Sequence, residues 1–221
     1  VIPVKNEAAN LGRCLSTLCR FDDVTVVDSG STDGTPRVAA EYGRKVVDFA
    51  WNGAFPKKRN WALRTCALAH PWVLFLDADE RMTPAFEAEA EARLPTTAFD
   101  AFRIEYRNRF LGQTLRYGDR MRKVSLLRVG SGEYERVPDE GWTSLNMEVH
   151  EQPIVKGRVG RFAARLEHVG KESLRELDAR HAEYATWEAR RFLALSRKDG
   201  LTRRQRIKYG LLNCSLFPAL Y

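Results

Sequence analysis

No two of the four cysteines, Cys14, Cys19, Cys66 and Cys214, stand in a C-x-x-C spacing. A disulfide framework is therefore not expected, and a reducing, cytosolic compartment is. No apolar run reaches the roughly 18 to 20 residues that cross a bilayer, so no transmembrane helix is expected. No charged leader or signal peptide is visible; the chain opens on Val1-Ile2-Pro3-Val4 without an initiator Met, which predicts a fragment whose first strand is cut short. Where a dinucleotide fold would carry G-x-G-x-x-G after its first strand, the residues are Pro3-Val4-Lys5-Asn6-Glu7. That excludes a Rossmann oxidoreductase, and the lack of G-x-x-x-x-G-K-[ST] excludes a P-loop phosphotransferase. Internal repeats and low-complexity segments are also missing.

What is present is enough apolar residue, 44% of 221, for one sizeable core. The net charge of +7 is uneven. Residues 189 to 221 carry eight basic groups (Arg190, Arg191, Arg197, Lys198, Arg203, Arg204, Arg206, Lys208) against Asp199 alone, so the tail holds the whole excess. A nucleic-acid binder would spread that charge over a working face and interleave it with stacking aromatics, so no nucleic-acid partner is expected.

The first half alternates between the two periods. Strands are predicted at Val1 to Val4, Val24 to Asp28, Lys45 to Phe49 and Trp72 to Asp77. Helices are predicted through Leu11, Leu15 and Leu18, at Thr35 to Tyr42, at Lys57 to Ala69, and from about Pro84 to Arg93. That order implies an α/β fold with a Rossmann-like, mainly parallel sheet covered by helices on both faces. Further on, Phe102 to Tyr106 and Lys123 to Arg128 read as strands, and Ser173 to Leu195 as the longest helix.

Two strands end in acid. "VVDSGSTDGT" (26–35) and "VLFLDADE" (73–80) both place carboxylates at the carboxyl end of a strand, where open α/β sheets bind ligands. If Asp77-Ala78-Asp79 is extended, the i and i+2 side chains converge and need a cation. Oxygen ligands favour Mg²⁺ or Mn²⁺, and Mg²⁺ joins one or two carboxylates to substrate phosphates. A turn leading into the Pro84 helix is the competing reading. The Asp28 to Thr35 stretch is either a turn and helix cap, or a loop in which Asp28 accepts from a base and the glycines allow close approach.

Taken together, Pro3-Val4-Lys5-Asn6-Glu7, Val26 to Thr35, Lys57-Lys58-Arg59-Asn60 and Asp77 to Glu80 resemble, in that order and spacing, the nucleotide-binding half of family 2 glycosyltransferases. "EVHEQ" (148–152) and "LEHVGKESL" (166–174) resemble later blocks of the lipopolysaccharide-core glucosyltransferase branch. The resemblance implies a GT-A fold and inverting transfer from a nucleotide-sugar, usually a UDP-sugar. It places Pro3, Glu7 and Asp28 at the base and ribose, Lys57 and Arg59 beside the diphosphate, and Asp79 with Asp77 on the metal. Inversion needs a separate carboxylate to take the acceptor proton; Glu151 is the first candidate and Glu148 the second. His168 is a candidate third metal ligand or a structural histidine. Arg103, Arg107, Arg109, Arg120 and Arg122 either meet acceptor phosphates or cover a solvated face.

The expected organisation is a GT-A catalytic domain over 1–172, with a nucleotide half (1–95) and an acceptor half (96–172), then a helical basic segment over 173–221. Basic charge beside Tyr209, Leu211, Leu212, Leu216, Phe217 and Leu220 suits either peripheral contact with an anionic membrane or an ordinary packed helix. A saccharide or lipid-linked acceptor at the inner face of the plasma membrane is the expected partner. A non-catalytic nucleotide-sugar-binding module or scaffold is the alternative.

Overall fold

The computed structural model describes residues 1–117, 121–136 and 152–170, and scattered residues between 174 and 190, all of which are helical. Residue contacts divide the chain into Val1–Glu172 and Ser173–Tyr221. Every described strand lies in the first unit.

The N-terminal half alternates as its periodicity requires. β1 (Ile2–Val4), α1 (Ala8–Leu15), β2 (Thr25–Asp28), α2 (Thr35–Glu41), β3 (Lys45–Asp48), α3 (Lys58–Thr65) and β4 (Trp72–Leu74) follow in order. β1 pairs with β2, and β2 with β3, all parallel. β1 continues the sheet to β4, because Val1 N donates to Leu74 O and Leu76 N to Val1 O, the pattern of a parallel pair. β2 is buried on both faces, Thr25 and Asp28 as well as Val26 and Val27. α3 is shorter than the spacing predicts: it stops at Thr65 because Cys66 turns extended, with ψ 135°.

Strand β4 also stops early. Past Leu74, Phe75 N still bonds across to Ser125 O and Leu76 N to Val1 O, and Glu80 N then closes a turn on Asp77 O at 2.9 Å. There follow β5 (Glu80–Arg81), α4 (Pro84–Arg93), β6 (Ala101–Phe110), β7 (Gln113–Thr114), β8 (Arg122–Arg128), β9 (Gly132–Tyr134), β10 (Pro153–Val155), β11 (Val159–Arg161) and β12 (Leu166–Val169). α4 starts at Pro84 behind Thr83, whose hydroxyl accepts from Phe86 N, so the cap fixes its first turn.

The sheet is parallel in this nucleotide half and mixed beyond it. β8 runs antiparallel to both β4 and β6, β12 runs parallel to β6, and β5 runs antiparallel to β12. One apolar cluster joins Leu11, Leu15, Phe86, Phe102 and Phe162; the other joins Val27, Phe49, Ala62, Phe75 and Tyr134. Phe162 meets Phe102 edge-on at 4.8 Å, and burying a ring of this size stabilises by roughly 2 to 3 kcal/mol. The β6–β8–β12 layer is thereby fixed against α4, which sets the register of the residues that reach the rim.

Candidate active site

The carboxyl ends of β1 and β2 carry two loops that are bonded to each other. Asn6 adopts φ 55°, a region that Asn tolerates better than most residues. Its N–H donates to Ser31 Oγ and its Oδ1 accepts from Thr32 N, both at 2.8 Å. Glu7 N donates to Thr35 Oγ1, and Ala8 N to Asp33 Oδ2. Asp28 is buried at the end of β2 and accepts from Ser31 N at 2.9 Å and from the Ser31 hydroxyl. Pro3 is buried within β1, and Glu7 stands at the N-cap position of α1, its Oε2 accepting from the Asn10 side chain Nδ2. The polar stretch after β2 therefore builds a preformed rim.

The first turn of α3 ties that rim to two other segments. Lys57 is buried at the N-cap. Lys58, wholly buried, donates from Nζ to Val4 O at 2.7 Å. Arg59 Nη2 donates to Asp77 Oδ1 at 2.7 Å, and its guanidinium lies over the Tyr134 ring. Asn60 bonds both backbone groups of Tyr134, with Nδ2 to O at 2.9 Å and N to Oδ1 at 2.7 Å.

The Asp77–Asp79 segment corrects the extended-strand expectation. Because 77–80 is a turn, the two carboxylates meet different partners. Asp77 takes Arg59 on Oδ1 and Lys123 Nζ on Oδ2, each at 2.7 Å. Asp79 instead faces His168, with Nε2 to Oδ2 at 3.6 Å, and Val169 N donates to Asp79 O. The strand register His168↔Glu80 holds this pair together.

Electrostatics follow from that geometry. Burial works against charge on Asp77, yet Arg59 and Lys123 hold its carboxyl well below the usual range. Glu80 is wholly buried; desolvation and then the Asp77 charge push it up to about 7, against the pull of Lys123. Lys123 Nζ donates to Glu80 Oε1 at 2.6 Å, and despite burial the two carboxylates hold its ammonium above the ordinary lysine range. Burial disfavours charge on His168, but Asp79 and then Glu80 raise its pKa above the ordinary value.

The structure thus brings Glu7, Asp28, Lys57, Arg59, Asp77, Asp79 and His168 into the segments that form the rim. Glu148, Glu151 and Arg120 lie outside the described residues, as does the basic tail beyond Arg190. Sequence reading gave no role to Lys123, nor to Lys58, Asn60 and Glu80, although the last three stand in the motif blocks it singled out. Lys123 stands opposite Asp77 only because β8 pairs antiparallel with β4, a register that no local spacing announces.

A parallel α/β sheet with polar, charge-dense loops at its carboxyl rim defines a nucleotide-binding class of domain. The Glycosyl transferase family 2 model matches residues 1–110, and the chain belongs to that family. A lipopolysaccharide core biosynthesis glycosyltransferase, LpsC of Rhizobium meliloti, is 31% identical over 166 residues, covering 70% of this chain and 56% of that protein. The chain therefore spans little more than half of this curated relative. Among solved structures, S. aureus TarS 1-349 in complex with UDP-GlcNAc is 27% identical with a TM-score of 0.43, over 49% of this chain and 34% of that one. Glucosyl-3-phosphoglycerate synthase from Mycobacterium tuberculosis, in complex with Mn²⁺, UDP and glucosyl-3-phosphoglycerate, is 23% identical with a TM-score of 0.38, over 49% and 42%. Family membership brings with it the GT-A fold class, and the parallel β3-β2-β1 sheet, linked to the β4 segment through the Val1 bonds, is its Rossmann-like half.

Proposed function

We propose that the protein is an inverting, metal-dependent glycosyltransferase that moves a hexose from a UDP-sugar to a hydroxyl of a saccharide or lipid-linked acceptor in cell-envelope glycan synthesis. The observation that carries this reading is the Asp79–His168 pair, held at the rim by β5–β12 pairing beside the nucleotide-side loops. One carboxylate and one imidazole, each partly open to solvent, suit a Mn²⁺ or Mg²⁺ ion whose other positions are filled by diphosphate oxygens and water. Asp79 and His168 would hold that ion, which when bound supplies charge stabilisation to the departing UDP.

The protein's own groups do the rest. Asp28, kept in place by Ser31, retains lone pairs to accept from the base, since a carboxylate offers about four acceptor sites. Arg59 and Lys123 keep Asp77 ionised, so the backbone of the 77–80 turn is held and Asp79 is presented in one orientation. Glu151, with Glu148 as second candidate, is assigned to take the acceptor hydroxyl proton from the side opposite the leaving group. The similarity to the Rhizobium enzyme favours an envelope saccharide as acceptor. Peripheral placement of the basic tail at the inner face of the membrane completes the reading.

Calorimetric titration of UDP into the protein, with Mn²⁺ and then with chelator, tests it. Metal-dependent binding that Asp79→Ala abolishes is the expected result. No UDP binding by the folded protein under either condition would remove the donor assignment. UDP binding without sugar transfer to any acceptor would identify a binding module instead.

A further inference from the structure

His168 marks one face of the mixed sheet, and the strand register shows which other side chains share it. His168 pairs with Asn108 in the parallel β12–β6 ladder, so the two side chains stand on the same face. On the other flank of β6, Leu115 N donates to Asn108 O at 2.9 Å, one step along from the Arg109↔Thr114 pair, which puts Leu115 opposite Asn108. Leu115, Asn108 and His168 therefore form one row across three strands. Two residues along β6 from Asn108, Phe110 faces the same way, and it is paired with Gln113 of β7. Gly170, whose N–H donates to Arg109 O, has no side chain to lay over the Phe110 ring: a Cβ there would stand 3.9 Å from Phe110 Cδ2.

The arginines of β6 point the other way. Arg107 and Arg109 lie 3.8 and 3.9 Å from Glu167, whose neighbour His168 faces the opposite side of β12. What shares the face of His168 is partly apolar and open: Leu115 is 50% exposed, Phe110 is half-buried and Gln113 is exposed. Two strand spacings, roughly 10 Å, separate Leu115 from His168. A donor sugar is bonded to the diphosphate that an ion on Asp79 and His168 would hold, so the ring that receives it must lie one sugar further out. The Phe110–Leu115 patch is at that remove. Its chemistry also fits a ring of that kind. A pyranose presents a face of C–H bonds and a rim of hydroxyls; an aromatic ring and a leucine cover the first, and an amide, with two donors and an acceptor, meets the second.

Resting on the transferase reading, we propose that Phe110, Leu115 and Gln113 form the acceptor subsite, a platform on which the pyranose ring that receives the donor sugar lies with its apolar face on Phe110. The acceptor is thereby recognised through its terminal sugar ring, whatever that ring is attached to.

The test is saturation-transfer NMR on the full chain with UDP and Mn²⁺, using methyl glucopyranoside, methyl galactopyranoside and methyl mannopyranoside as separate probes. At least one is expected to bind, with saturation strongest on the C–H protons of one ring face. Loss of a stacked ring is worth about one tenfold step in affinity, so Phe110→Ala should weaken that binding roughly tenfold and Leu115→Ser by less. Thr114→Ala, on the same hairpin but paired with Arg109 on the opposite face, should leave it unchanged. Each variant is checked for an unchanged circular dichroism spectrum and unfolding midpoint, and UDP affinity, read by calorimetry, should hold in all of them. Should Phe110→Ala fail to fold, Phe110→Leu and Leu115→Ser carry the test. Absence of binding by every probe would overturn the proposal. So would pyranoside binding that the folded Phe110 and Leu115 variants leave intact, or an equal loss of UDP and pyranoside affinity, which would make the hairpin a structural element. Pyranoside binding that depends on Phe110 in a chain that binds no UDP would keep the platform and remove the donor assignment instead.

Discussion

Lys123 Nζ lies 2.6 Å from Glu80 Oε1, and the same ammonium donates to Asp77 Oδ2 at 2.7 Å. One lysine from β8 thus keeps two carboxylates of the 77–80 turn together. Lys123→Met would leave Glu80 without its cation and Asp77 with Arg59. Removing one partner of a buried pair costs about 3 to 5 kcal/mol, and the partial exposure of Asp77 and Lys123 brings the expected loss to about 2 kcal/mol in urea unfolding. UDP affinity in Mn²⁺ should fall with it, because the turn presents Asp79.

The raised pKa of Glu80 sets the sign of a pH effect. With a folded value of about 7 and an ordinary value of 4.5, the folded state binds the extra proton between these limits. That contribution to stability is full below the unfolded value and is lost as pH rises through the folded one. Glu80→Gln should therefore flatten the fall in unfolding free energy between roughly pH 5 and pH 8. An unchanged slope in that window would show that Glu80 is ionised throughout.

Replacing His168 by Gln removes the imidazole and leaves Asp79 in place. If the pair holds the ion, the Mn²⁺-dependent part of UDP affinity should drop by roughly tenfold to a hundredfold while metal-free binding is unchanged. Equal loss with and without metal would make His168 a structural group instead.

Asn60→Ala removes both bonds that its side chain makes to the buried Tyr134 backbone. Losing the partner of a buried polar group costs about 1 to 3 kcal/mol, so a loss of about 3 kcal/mol in chemical denaturation is expected.

How much of this was legible in the sequence depends on distance along the chain. β2, α2 and α4 fall where periodicity and caps put them, because the residues that decide them are local. The acids read at two strand ends do lie there, Asp28 closing β2 and Asp77 opening the turn after β4. The fate of Asp77 was not legible, since the turn at 77–80 and the cation on Oδ2 depend on a strand 46 residues away. Lys58 stands in a run of three basic residues, yet it is wholly buried, with Nζ donating to Val4 O at the end of β1. Arg103, Arg107 and Arg109 of β6 were visible as a charge cluster; that Glu105 of the same strand takes Arg122, Arg161 and Arg165 required the pairing of β6 with β8 and β11.

Lys58, Arg59 and Asn60, three consecutive residues, fasten Val4, Asp77 and Tyr134, at separations of 54, 18 and 74 residues. The last of these fastenings, together with Lys123, is supplied from beyond residue 110, where the family match ends. A polypeptide cut at that boundary would keep every recognisable donor motif and still lack the parts that clamp them. The nucleotide half is thus a recognisable stretch of sequence without being a self-sufficient piece of protein, and exchanging it between relatives would mean carrying β8 and β9 along with it.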